Sequence, residues 1–154
     1  MNRFLIVIFL LFQVSFFVSC SGGGGEDGTS AQTGYDYPTP EEVLAFLDEI
    51  AINYSGITKL ESVGAGLSEE GRPIRAIVIS DNPGSLEGEP AIRLTGGIHG
   101  SEMVSVELMI RFIEYLTSNY GISSEVTDLI DNRYIVIIPV INPDGLARKT
   151  RYNS

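Results

Sequence analysis

Apolar positions recur at helical spacing after Thr39. Val43, Leu44, Leu47, Ile50, Ala51 and Tyr54 fall on one face, and Gly56 ends the run. The start carries its own signal: Thr39 suits the cap, Pro40 the first helical position, and Glu42 the return bond of a capping box. The period then shortens, and residues 59–67 and 74–80 read as strands joined by the hairpin connection Ser68-Glu69-Glu70-Gly71-Arg72-Pro73. Residues 81–90 are a polar loop, and 91–95 a short strand running into Gly96-Gly97-Ile98-His99.

Residues 101–120 read as a second helix. Met103, Val104, Val106, Leu108, Met109, Ile110, Phe112, Ile113 and Leu116 leave only a narrow polar stripe of Glu107, Arg111 and Glu114, spaced for mutual pairing. A helix apolar over most of its circumference is expected to be buried on several sides. A short helix is expected over 124–130. Tyr134-Ile135-Val136-Ile137-Ile138 is a continuous apolar run, as for a strand covered on both faces, and Pro139 closes it. No internal repeat is visible. An early hairpin followed by strand–helix–strand predicts an α/β fold with helices covering a largely buried sheet.

Composition narrows the function. The 154 residues suggest one domain or part of one. Ten Lys+Arg against twenty Asp+Glu give a net charge of −10, which argues against nucleic acid as a partner. The charge is uneven: Arg148, Lys149 and Arg151 crowd the end of an otherwise acidic chain. One cysteine excludes an internal disulfide framework and a Cys-rich zinc module, and one histidine excludes a His-rich metal site built from this chain alone.

Residues 1–19 read as a secretory signal. Arg3 is the only charge, and the apolar run from Phe4 to Val18 falls short of a membrane span of about 20 residues. Phe17-Val18-Ser19-Cys20 resembles a bacterial lipobox, in which the cysteine after the cut carries lipid. Residues 20–38 then form a tether rich in Gly and Ser, which lets an anchored domain stand off a bilayer. The expectation is a bacterial cell-envelope lipoprotein, held on a membrane through Cys20 and facing periplasm or exterior. A plain secretory signal with an incidental cysteine is the alternative.

Two segments carry candidate chemistry. His99 and Glu102 stand three apart where a strand gives way to a helix, the end of an α/β sheet at which ligands gather. An imidazole and a carboxylate suit a zinc ion with an open position. The same pair also fits a surface or cap pair, with Glu102 favoured near a helix N-terminus. Asn142-Pro143-Asp144-Gly145 reads as a turn, because Pro fixes φ while Asn and Asp bond the local backbone. Beyond it, Arg148 or Arg151 is placed to face an anion or a polarised carbonyl.

Together the segments resemble the zinc carboxypeptidases related to carboxypeptidase A. Gly96-Gly97-Ile98-His99-Gly100-Ser101-Glu102, then Asn142-Pro143-Asp144-Gly145, then Arg148-Lys149-Thr150-Arg151-Tyr152-Asn153 stand in that family's order, and residues 68–74 resemble the hairpin before its ligand strand. The resemblance implies a mixed, mostly parallel sheet flanked by helices, with residues 39–154 as the N-terminal half of the domain. It implies Zn2+ as cofactor, His99 and Glu102 as the first two ligands, and a peptide or protein C-terminus, or a cell-wall peptide, as substrate. It assigns the arginine facing the oxyanion to Arg151, in an Arg-x-Asn segment, or alternatively to Arg148. Ser101 stands where several members carry a substrate-binding arginine. The third ligand, a histidine, and the general base, a glutamate, lie further along in the family. A 154-residue chain by itself is therefore expected to bind zinc weakly, to be inactive, and to expose an aggregation-prone sheet edge. Two other readings compete: a zinc deacylase of N-acyl amino acids, and an envelope lipoprotein without catalysis.

Overall fold

The computed structural model of the chain describes residues 36–152. The signal, Cys20 and most of the tether lie outside the described residues, as do Asn153 and Ser154. Helix α1 (Pro40–Asn53) opens with the expected capping box: the Glu42 amide donates to Thr39 Oγ1 at 3.2 Å, and the Thr39 amide to Glu42 Oε2 at 2.8 Å. The Thr39 amide, and after it the Thr39 hydroxyl, which donates to the same Oε2 at 2.9 Å, hold the Glu42 carboxyl below the usual range. Its apolar face buries Val43, Leu47 and Ile50.

Strands β1 (Thr58–Leu67), β2 (Pro73–Ile79), β3 (Ala91–Thr95) and β4 (Tyr134–Ile138) form one sheet in the order β1-β2-β4-β3. Ile79 lies opposite Thr58 in β1 and Ile135 in β4, both antiparallel, while β3 runs parallel to β4 with Ile92 beside Ile135. The sheet is mixed, as expected. Among the described residues, however, two of its three pairings are antiparallel, because the hairpin and its return against β4 contribute both. Helices α2 (Met103–Asn119) and α3 (Ser124–Asp131) make the crossover from β3 to β4. A parallel pair needs a long connection of this kind.

Ile77 and Ile79 of β2 and Ile135 and Ile137 of β4 form the floor of the core. Leu47 of α1, Val106, Ile113 and Leu116 of α2, and Val126 and Ile130 of α3 belong to the same buried cluster. The central strands match their apolar runs, whereas β3 stands at the edge of the sheet that the described residues form, and Ile92 is exposed there. The expectation for α2 also needs correction. Val106, Ile113 and Leu116 are buried, yet Leu108 is 62% exposed, and Val104 and Tyr115 are exposed with it. Periodicity reports how apolar a face is, not whether anything covers it. The polar stripe is as read, with Arg111 Nε 2.8 Å from Glu107 and Nη1 3.2 Å from Glu114. Among the described residues no helix is long and apolar enough to cross a membrane.

Candidate metal centre

The site begins where β3 ends. The Gly96 amide donates to the Ile138 carbonyl at 2.8 Å, and the returning chain donates back, Ile141 to Gly96 at 3.2 Å and Asn142 to Gly97 at 3.0 Å. Gly97 turns the chain with φ +58° and gives its own amide to Ser105 Oγ at 3.0 Å. The strand end is thus stitched both to the segment after β4 and to the first turn of α2.

Residues 99–102 form a turn, closed by the Glu102 amide on the His99 carbonyl at 3.0 Å, and α2 starts only at Met103. Glu102 caps that helix with φ −93° and ψ 58°, outside helical geometry, so residues 101–102 are not helical as expected. The turn still brings the predicted pair together: His99 Nδ1 lies 2.8 Å from Glu102 Oε1. The side chains are 32% and 56% exposed, so both face an accessible surface.

Asn142-Pro143-Asp144-Gly145 is a helix start and not only a turn. Helix α4 (Pro143–Arg148) is capped by Asn142, whose Oδ1 accepts from the Gly145 amide at 2.9 Å, and Pro143 occupies its first turn. The turn preferences of these residues and their preferences for a helix start coincide, which is why the pattern alone did not separate them. At the other end, Lys149 adopts φ 53°, and its amide and that of Thr150 both reach back to the Gly145 carbonyl. The chain reverses there, and the two candidate arginines part. Arg148 pairs with Glu70 of the hairpin turn, while Arg151 Nη1 comes to 4.0 Å from Glu102 Oε1.

Asp144 had no functional reading in the sequence, yet its side chain is 1% exposed. Oδ1 accepts from Ser68 Oγ and from Arg72 Nη1, both at 2.8 Å, and Oδ2 accepts from the Glu70 amide at 3.1 Å. Nothing in the sequence pairs it with a hairpin more than seventy positions away. The nearest signal is the density of polar residues in that hairpin.

The donor set fits zinc in part. Zinc bonds of about 2.0–2.1 Å at a tetrahedral angle separate two donor atoms by about 3.3 Å. His99 Nδ1 and Glu102 Oε1 stand 2.8 Å apart, so a small spreading would admit the ion between them. Among the described residues no group of three or more His, Cys, Asp or Glu is placed to hold a metal. The pair therefore supplies two positions of the four. Two surface depressions lie at different distances from the site. One of about 320 Å3 abuts it, lined in part by Ser68, Ile98, Asn142 and Asp144. Another of about 540 Å3, between α1 and α2, shares no residue with it and is not the seat of this chemistry.

The zinc carboxypeptidase family matches residues 43–153, most of the chain. The chain belongs to that family. Human carboxypeptidase D is 44% identical over 110 residues, which cover 71% of this chain and 8% of that protein. A zinc carboxypeptidase of Saccharothrix mutabilis subsp. capreolus is 34% identical over 123 residues, 80% of this chain and 27% of its own. Among solved structures, the carboxypeptidase A of Helicoverpa armigera superposes with a TM-score of 0.67 at 29% identity, over 76% of this chain and 29% of that one. The chain thus spans less than a third of each of these relatives. Membership makes zinc the family's metal and the α/β sheet flanked by helices its fold.

Proposed function

We propose that the protein built on this chain is a zinc-dependent metallocarboxypeptidase that hydrolyses C-terminal peptide bonds, of peptides and proteins or of cell-wall peptides. The observation that carries the reading is the meeting of His99 Nδ1 and Glu102 Oε1 at 2.8 Å, with the Arg151 guanidinium 4.0 Å from the same oxygen. His99 and Glu102 would hold the zinc. When bound, zinc lowers the pKa of a coordinated water and polarises the scissile carbonyl.

The chain's own residues divide the remaining work. Arg151 stands beside the ligands with a cationic guanidinium, the kind of group that stabilises negative charge growing on the carbonyl oxygen. Arg148 is engaged with Glu70, which favours Arg151 for that role. The glycines at 96, 97 and 100 let the segment after β4 and the start of α4 pack directly against the ligand turn, where a Cβ would strike them. The third ligand and the general base belong, on this reading, to residues beyond those described.

Substituting His99→Ala in the full-length protein tests the reading. Zinc content and release of the C-terminal residue from a test peptide should both collapse. Retention of both would end the metal assignment. The cellular address is a separate proposal supported by the lipobox: Cys20 carries lipid and holds the enzyme on the bacterial envelope. Labelled palmitate should enter the wild type and not Cys20→Ala, and equal labelling of both would refute it.

A further inference from the structure

We propose that Asp144 is a positioning residue for the metal ligands, acting through a buried clasp between the hairpin turn and α4. The proposal rests on the zinc reading of His99 and Glu102 given above. The clasp has two halves. In the first, the Asp144 carboxylate takes three hydrogen bonds, from Ser68 Oγ, Arg72 Nη1 and the Glu70 amide. In the second, the Glu70 carboxylate bridges Arg72 and Arg148, so two residues of α4 are tied to one turn. Ser68 is fixed in turn, because its Oγ accepts from the Arg72 amide at 2.9 Å and its amide donates to the Arg72 carbonyl at 2.8 Å.

What the clasp holds is the seat of α4 against the ligand turn. A Cβ added to Gly100 would fall 1.9 Å from the carbonyl carbon of Gly145, so the two backbones are in direct contact between the ligands and the helix. Asn142 adds a bond on the same side, its amide to the Gly97 carbonyl at 3.0 Å. A shift of α4 must therefore be felt at residue 100, between His99 and Glu102, and at Arg151, which follows the helix. Asp144 touches neither ligand. Its action is through backbone that cannot give, since close-packed interiors transmit displacement instead of absorbing it. Groups outside the first ring of ligands commonly tune metal affinity by orienting that ring.

Asp144→Asn tests this with a nearly identical shape. An amide can present one oxygen, so either the Glu70 amide or the Ser68–Arg72 pair loses its acceptor. Hydrogen exchange in the full-length protein is measured in two segments, residues 96–105 and the core strand 74–80. The expected result is roughly tenfold faster exchange in 96–105 with 74–80 little changed, and zinc binding weakened by about 10–100-fold in competition with a chelator. Ile130→Val, a core change in α3 away from the clasp, should not move the ratio of the two segments. Should Asp144→Asn fail to fold, Ser68→Ala removes one of the three donors and should shift the ratio in the same direction by less. Equal acceleration of both segments, or none in either, would overturn the proposal. A wild type that binds no zinc while the exchange difference persists would overturn the zinc reading and leave the clasp supported.

Discussion

Gly100 and Gly145 meet backbone to backbone: a Cβ built on Gly100 would fall 1.9 Å from the Gly145 carbonyl carbon. One belongs to the turn that carries His99 and Glu102, the other to the first turns of α4. The contact joins the family's two N-terminal motifs, and no side chain fits between them. Gly100→Ala must push α4 or the ligand turn aside. It should cost at least about 1–3 kcal/mol in urea unfolding, the range for overpacking. Gly56→Ala, whose Cβ meets nothing within 4 Å, should stay within about 0.5 kcal/mol of the wild type.

The two arginines of the basic tail should behave differently. Arg151→Gln is expected to lower kcat/KM by about 10²–10³-fold, as for loss of one group stabilising an oxyanion. Arg148→Gln loosens only the outer half of the clasp, so it should lower kcat/KM much less than Arg151→Gln and cost at most about 1 kcal/mol of stability, since its partner Glu70 lies at the partly exposed hairpin turn. Steady-state kinetics on the full-length protein decides between them. The reverse order would assign the role to Arg148.

Helix α2 offers a contrast between two faces of one element. Leu116→Ala on the buried face should cost about 2–5 kcal/mol through lost transfer energy and a residual cavity. Leu108→Ala, at 62% exposure, should change stability by about 0.5 kcal/mol or less. A large loss at Leu108 in the full-length protein would mean that further residues cover that face there.

The capping box of α1 predicts a pH dependence. The Glu42 carboxyl is held below its usual range by bonds that only the folded state makes. A depressed carboxyl contributes stability that is present above the unfolded pKa and is lost as pH falls through the folded one. The stability difference between wild type and Glu42→Gln should therefore be present at neutral pH and vanish in acid. Thr39→Ala, which removes the other half of the box, should cost about 0.5–2 kcal/mol at neutral pH. Urea unfolding from pH 7 to pH 3 checks both.

Much of this was legible in the chain itself. The capping residues around Thr39, the strand Ala91–Thr95 and the run Tyr134–Ile138 stand where local pattern placed them. For Tyr134–Ile138 local preference and burial agree, while Ala91–Thr95 keeps its strand although most of it is exposed. The family was legible too, because His99, Glu102 and the Asn-Pro-Asp-Gly segment keep their types and their order along the chain.

Tertiary structure decided the rest. Pattern could not tell that, among the described residues, β3 lies at an edge and Leu108 and Val104 face outward, because hydrophobicity measures a residue's preference and not the presence of a neighbour. Nor could it give the two arginines their partners: both are basic and three residues apart, and only the reversal at Lys149 brings Arg148 to Glu70 and Arg151 to 4.0 Å from Glu102. Asp144 is the clearest case. Its sequence neighbours mark a turn or a helix start, and its partners Ser68, Glu70 and Arg72 come from a distant hairpin. A buried carboxylate is defined by the donors that surround it, and those are brought together only when the chain folds.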